Sequence, residues 1–192
     1  MLRNHLFRLV CAAILLACFQ TAVIGYQIGE RTYILRTGVE IRLKTEAVDP
    51  RDLLRGDYVV LNYAISRLRN DQIVGERPDH REDVRFHVRV APGADGFAVV
   101  QEASIAKLPP KPGSVVLLTE PLVYDPSFGK DASFAVKYGI ERFYVPEGEG
   151  KEIEAERNKG AVSVAVRVSS GGKAQLKQLF IGNDPVYAQP DF

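Results

Sequence analysis

Two stretches of the 192-residue chain bring charged and aromatic side chains close enough to do chemistry. In residues 138–154 (YGIERFYVPEGEGKEIE), period-two alternation puts Tyr138, Ile140, Arg142 and Tyr144 on one strand face and Glu141, Phe143 and Val145 on the other. An arginine between two tyrosines can stack on their rings and present a planar fork to a carboxylate or phosphate. The same arrangement serves plain packing, with Arg142 over the ring faces and paired to Glu147 or Glu154. In residues 49–65 (DPRDLLRGDYVVLNYAI), Asp49, Arg51, Asp52, Arg55 and Asp57 could rim a cleft, with Tyr58 on the face opposite Leu61 and Tyr63. The structural reading is stronger here. Asp49 caps a short turn, Gly56 supplies positive φ, Asp57 bonds the turn amides, and Leu61 and Tyr63 face the core together.

The remaining polar clusters point away from catalysis. Glu147, Glu149, Glu152, Glu154 and Glu156 could hold calcium weakly through oxygen ligands, but Lys151, Arg157 and Lys159 among them favour a solvated helix face. His5, His80 and His87 are too scattered for metal-ligand spacing, and no glycine-elbow serine accompanies them. Neither GxxxxGKS nor a strand-borne GxGxxG is present. No metal, cofactor or enzymatic activity is expected.

These residues must be positioned by a chain with a marked N-terminal asymmetry. Residues 9–29 (LVCAAILLACFQTAVIGYQIG) carry no charge, and 21 residues at about 1.5 Å each span the roughly 30 Å hydrocarbon core of a bilayer. Arg3 and Arg8 precede the run, so the positive-inside rule holds residues 1–8 in the cytoplasm and sends residues 30–192 across. Reading Leu15–Cys18 as a lipobox would make a lipoprotein lipid-modified at Cys18, and cleavage would make a secreted domain. The length of the apolar run favours a retained anchor. Beyond residue 28 there are 23 basic and 24 acidic residues, net −1, with no basic-aromatic interleaving that would suit nucleic acid. Both cysteines, Cys11 and Cys18, lie in the apolar run, so the rest of the chain has no disulfide, thiol nucleophile or thiolate metal site.

After the anchor, alternation predicts strands. Val39, Ile41 and Leu43 alternate with Glu40, Arg42 and Lys44. Residues 57–68 are apolar on both faces and read as one central strand. Val84, Phe86, Val88 and Val90 alternate with Arg85, His87 and Arg89 on the outer face, and residues 91–96 turn the chain into a second strand, 97–105. Residues 115–119, 134–145, 161–168 and 174–181 complete about eight strands, the last two joined by a Ser-Ser-Gly-Gly turn. Short helices are expected at 49–56 and 151–158, and 67–83 reads as a charged surface excursion. The fold class is mainly β: one transmembrane helix carrying a compact, mostly antiparallel barrel or sandwich with one or two short helices.

Gly56, Asp57, Tyr58, Leu61 and Tyr63 spell GDYxxLxY, and together with the 138–154 block and the anchor they resemble, in order, the GDYXXLXY family of bacterial membrane-anchored proteins. The resemblance implies a single-pass protein of the bacterial cytoplasmic membrane with a periplasmic domain and neighbouring membrane proteins as partners, and it implies no reaction. A fainter likeness joins residues 55–61 (RGDYVVL) and 140–148 (IERFYVPEG) to the type I signal peptidase scaffold. That chemistry needs a serine followed by methionine and a desolvated lysine base. Here the only methionine is Met1, and Glu141 beside Arg142 occupies the lysine position. The leading expectation is a non-enzymatic extracytoplasmic module that binds another envelope or integral membrane protein. A small-ligand site on the Tyr138, Arg142 and Tyr144 face comes second, and a serine–lysine hydrolase third.

Overall fold

The N-terminal apolar run and the residues after it form one helix, α1, Leu2–Thr37, in a computed structural model that describes residues 2–47, 58–127, 129, 131–146 and 150–188. Leu9, Ile14, Leu15, Phe19, Ile24 and Ile28 on α1 are all exposed, as a bilayer-facing helix requires. The helix does not stop where the apolar run does. Its last turns continue into the β domain, where Ile34 and Leu35 are 2% and 3% exposed. Burial of two such side chains contributes about 2 kcal/mol each to holding helix and domain together.

Gly38 makes the joint. Its N–H donates to the Ile34 carbonyl at 2.8 Å and its own carbonyl accepts from Arg167 Nη1 at 2.8 Å. A Cβ at this position would stand 2.6 Å from the Ile34 oxygen and 3.0 Å from the backbone of Val168, so no larger residue fits without moving backbone.

The chain then continues as β1 (Val39–Glu46), β2 (Tyr58–Val60), β3 (Asn62–Tyr63), β4 (Arg67–Arg69), β5 (Glu82–Val84), β6 (His87–Pro92), β7 (Ala98–Ser104) and β8 (Val115–Leu118). After these come β9 (Leu122–Tyr124), β10 (Ser133–Ala135), β11 (Arg142–Tyr144), helix α2 (Gly150–Asn158), β12 (Val162–Val168), β13 (Ala174–Ile181) and β14 (Asp184–Ala188). The largest sheet has the order β14-β13-β12-β1-β3, and a second has the order β7-β6-β8. Three two-stranded ladders, β10-β4, β11-β2 and β5-β9, complete a sandwich-like arrangement of antiparallel pairs. The described residues close no barrel. One apolar core, including Leu43, Phe86, Val88, Leu117, Val164 and Leu179, lies within it.

Four expectations need correction. Within the strand expected over 57–68, the described residues 58–68 are not one central strand. They form β2, β3, a 3₁₀ turn at Ala64–Ser66 and β4, and the three strands pair with β11, β1 and β10 in turn. The segment is apolar on both faces because each short piece is buried by a different neighbour. Residues 134–145 likewise divide into β10 and β11. Arg89 is 2% exposed rather than outward-facing, because a bulge between Arg89 and Val90 shifts the β6–β7 register and a built set of acceptors surrounds its guanidinium. In 67–83, Leu68, Asn70 and Ile73 are buried, so that stretch is not a surface excursion throughout. The helix expected at 49–56 lies outside the described residues. The one expected at 151–158 is α2, ended by Gly160 at φ +75°.

Candidate functional site

The two motif stretches meet. β2 and β11 pair antiparallel with Tyr58 opposite Tyr144, Val59 opposite Phe143 and Val60 opposite Arg142. Val59 and Phe143 point into the core, whereas Arg142 and Tyr144 are exposed and Tyr58 is half-buried. The rings of Tyr58 and Tyr144 lie 5.9 Å apart, and the Arg142 guanidinium lies over the Tyr58 ring at 5.3 Å. This gives a small cation-aromatic cluster on the outer side of the ladder.

Tyr138 does not belong to that cluster, which corrects the single face expected for Tyr138, Arg142 and Tyr144. Gly139 takes φ +77°, and the turn it makes breaks the alternation, leaving Tyr138 5% and Ile140 3% exposed. Inside the core, Tyr138 and Tyr63 are cross-braced. The Tyr63 hydroxyl donates to the Ile140 carbonyl at 2.5 Å, and the Tyr138 hydroxyl donates to the Ile65 carbonyl at 2.7 Å. Each phenol therefore bonds the carbonyl two residues past the other. Burial is the main cause that raises both phenols above their ordinary pKa, with the nearby Glu141 carboxylate adding to it.

Glu141, at the lysine position of the signal peptidase likeness, is a connector. Its side chain accepts the Tyr138 N–H at 2.6 Å and its carbonyl accepts the Leu61 N–H at 2.8 Å. Leu61 is buried beside them. Glu154 is half-buried on α2 and acts electrostatically on Arg157. Arg157 is 4% exposed and donates to the Val60 carbonyl, so it ties α2 to the motif strand instead of standing on a solvated face. Asp49, Arg51, Arg55, Gly56, Asp57 and Glu147 lie outside the described residues.

A second site was not foreseen. A cleft of about 1420 Å³ opens beside the C-terminal end of α1, between the start of β1, strands β6 and β8, the 107–113 segment and the Ser169–Gly172 turn. Arg89 at its base donates to Glu102 at 2.7 Å, Ser114 Oγ at 3.1 Å and the Pro109 carbonyl at 2.6 Å, which pins the proline-rich segment as one wall. Arg42 at its edge lies over the Phe180 ring at 4.2 Å and the Phe97 ring at 5.7 Å. The sequence hint was slight: Lys107 and Lys111 bracket the prolines, but nothing local ties them to Thr37 or to the 169–172 turn.

Among the described residues, no three His, Cys, Asp or Glu side chains gather as metal ligands. Ser169 Oγ accepts the backbone N–H of Lys173, while the Lys173 ammonium is paired with Glu30. No curated protein and no solved structure matches the chain, so the likeness to the signal peptidase scaffold rests on its two short sequence fragments alone. The family model described as GDYXXLXY protein matches residues 20–179, which takes in the second half of the apolar run, both motif stretches and the sandwich up to Leu179 in β13, and the chain belongs to that family.

Proposed function

We propose that this protein is a single-pass membrane protein, amino terminus in the cytoplasm and β domain outside it, that acts without catalysis as a docking module for another envelope or integral membrane protein. The observation that carries the reading is the unbroken α1, bare and apolar over residues 9–28 and buried at Ile34 and Leu35 against the domain. A domain fused to its anchor in this way is presented at a fixed height and orientation, as recognition of a neighbour in the same membrane demands. β1 runs away from the helix for eight residues, about 26 Å of strand, and the β2–β11 ladder lies beyond its far end. We read the exposed Tyr144, with Arg142 and Tyr58, as standing away from the anchor, within reach of a partner's outer loops. Aromatic and arginine side chains are the residues that most often anchor such contacts.

The test is chemical crosslinking of the full-length protein in its native membrane, comparing wild type with Arg142→Ala and Tyr144→Ala variants whose unfolding midpoints are unchanged. The reading expects one membrane protein recovered with wild type and lost with the variants. Equal recovery with both variants, or none with wild type, contradicts it.

A further inference from the structure

The cleft beside the helix exit has the anatomy of a lipid site. Its walls are apolar, built by Val39, Ile41, Val90 and Val115 among others, and its rim is cationic, with Arg42, Lys107 and Lys111. Lys107 and Lys111 have no acidic partner among the described residues; Arg42 donates from Nη2 to Ser163 Oγ at 3.3 Å and feels Glu40, the one carboxylate lining the cleft, which is held more closely by Lys177 at 2.9 Å and Arg167 at 3.0 Å. Arg42 Nε and His87 Nδ1 are buried there without a hydrogen-bond partner. The volume exceeds the roughly 300–1,000 Å³ of an ordinary small-molecule pocket.

Position supplies the occupant. The eight residues from Glu30 to Thr37 rise about 12 Å above the apolar run, and Thr37 itself lines the cleft. The Ser169–Gly172 turn forms another wall, and the next residue, Lys173, is ion-paired with Glu30, the first charged residue after the apolar run. The cleft therefore opens within a few ångströms of the headgroup layer, given a headgroup depth of about 5–8 Å per leaflet. On the reading that α1 spans the membrane and the domain lies outside, we propose that the cleft takes an anionic phospholipid from the adjoining leaflet, its acyl chain along the Val39–Ile41 and Val90 walls and its phosphate at Arg42, Lys107 and Lys111.

The experiment places the full-length protein in phosphatidylglycerol vesicles doped with a phosphatidylglycerol carrying a photoactivatable acyl chain, and maps the labelled residues by mass spectrometry. Label is expected on α1 and on the cleft walls. A Lys107→Glu, Lys111→Glu variant, altered only at exposed positions, should lose roughly tenfold of the cleft label and keep the α1 label. Matched phosphatidylcholine should label α1 alone. Label on α1 but never on the cleft overturns the lipid site and leaves the anchor standing. Label on neither overturns both. Cleft label that is indifferent to headgroup and to the lysines overturns the phosphate recognition, and a polypeptide crosslinked through the cleft walls overturns the choice of occupant.

Discussion

Tyr63 and Tyr138 brace one another's segments reciprocally: the hydroxyl of Tyr63 reaches the carbonyl two residues past Tyr138, and that of Tyr138 reaches the carbonyl two residues past Tyr63. The last aromatic of the GDYxxLxY motif and the first of the later block are thus two halves of one fastening, buried in the core. Tyr63→Phe and Tyr138→Phe should each destabilise the protein by about 1–3 kcal/mol, since each leaves a buried carbonyl without its donor. The double variant should depart from additivity by more than about 0.5 kcal/mol, because the first cut already loosens the second bond. Denaturant unfolding of the full-length protein in detergent measures all three, and strict additivity would show that the two bonds act independently.

The same pair sets an alkaline limit. Burial raises both phenols above their ordinary 10.0, so above that pH the unfolded chain binds fewer protons than the folded one. Their contribution is full below pH 10 and falls as the pH climbs toward the folded values. Unfolding midpoints should drop steeply above pH 10 in wild type and less steeply when both tyrosines are phenylalanine. Equal slopes would contradict the assignment.

At the acid end, the Lys177 ammonium bonded to Glu40, supported by Arg167, holds the Glu40 carboxyl below its ordinary 4.5. That stabilisation is present above pH 4.5 and is lost as the pH falls through the folded value. Both partners are partly exposed, so Lys177→Ala should cost no more than about 1 kcal/mol near neutrality. The difference between wild type and variant should close once the pH has fallen below the folded value. A difference that persists there would assign the effect to packing.

Gly38→Ala tests the joint between α1 and the β domain. The added carbon meets backbone at 2.6 Å, so either the last helical turn or β12 must shift. Overpacking of this kind costs roughly 1–3 kcal/mol. Amide exchange at residues 34–37 should accelerate in the variant, with a lower unfolding midpoint. Unchanged exchange would show that helix and domain do not depend on this close approach.

Much of the fold was legible because strict alternation admits one register. β1, the β6–β7 hairpin and the β12–β13 hairpin were marked by period-two alternation and turn residues, though bulges at Arg89/Val90 and Ala165/Val166 interrupt both hairpin registers and β12 is buried on both faces, and α2 was marked by its terminal glycine. Legibility failed where alternation continued through a change of partner. Val59, Leu61, Tyr63, Ile65 and Leu68 are all buried, as in a central strand, but a 3₁₀ turn redirects the chain between them. One positive φ at Gly139 removed Tyr138 from the face shared by Arg142 and Tyr144, which no side-chain pattern could disclose. The cleft was unreadable for another reason. Thr37, Arg89, Lys111 and Ser169 come together only through long-range packing, and Arg89 sits among charged neighbours whose alternation suggests the opposite face.

The central claim is that the domain is held outside the cytoplasm by α1. Every cysteine of the chain lies within the apolar run, so a single Val99→Cys substitution at an exposed β7 position supplies the one thiol of the β domain. Sealed cells whose outer layer has been permeabilised are treated with a membrane-impermeant maleimide. The account predicts that Val99→Cys is labelled without lysis while wild type is not, and that the protein stays in the membrane fraction after carbonate extraction. Labelling only after lysis, or release by carbonate, would contradict it.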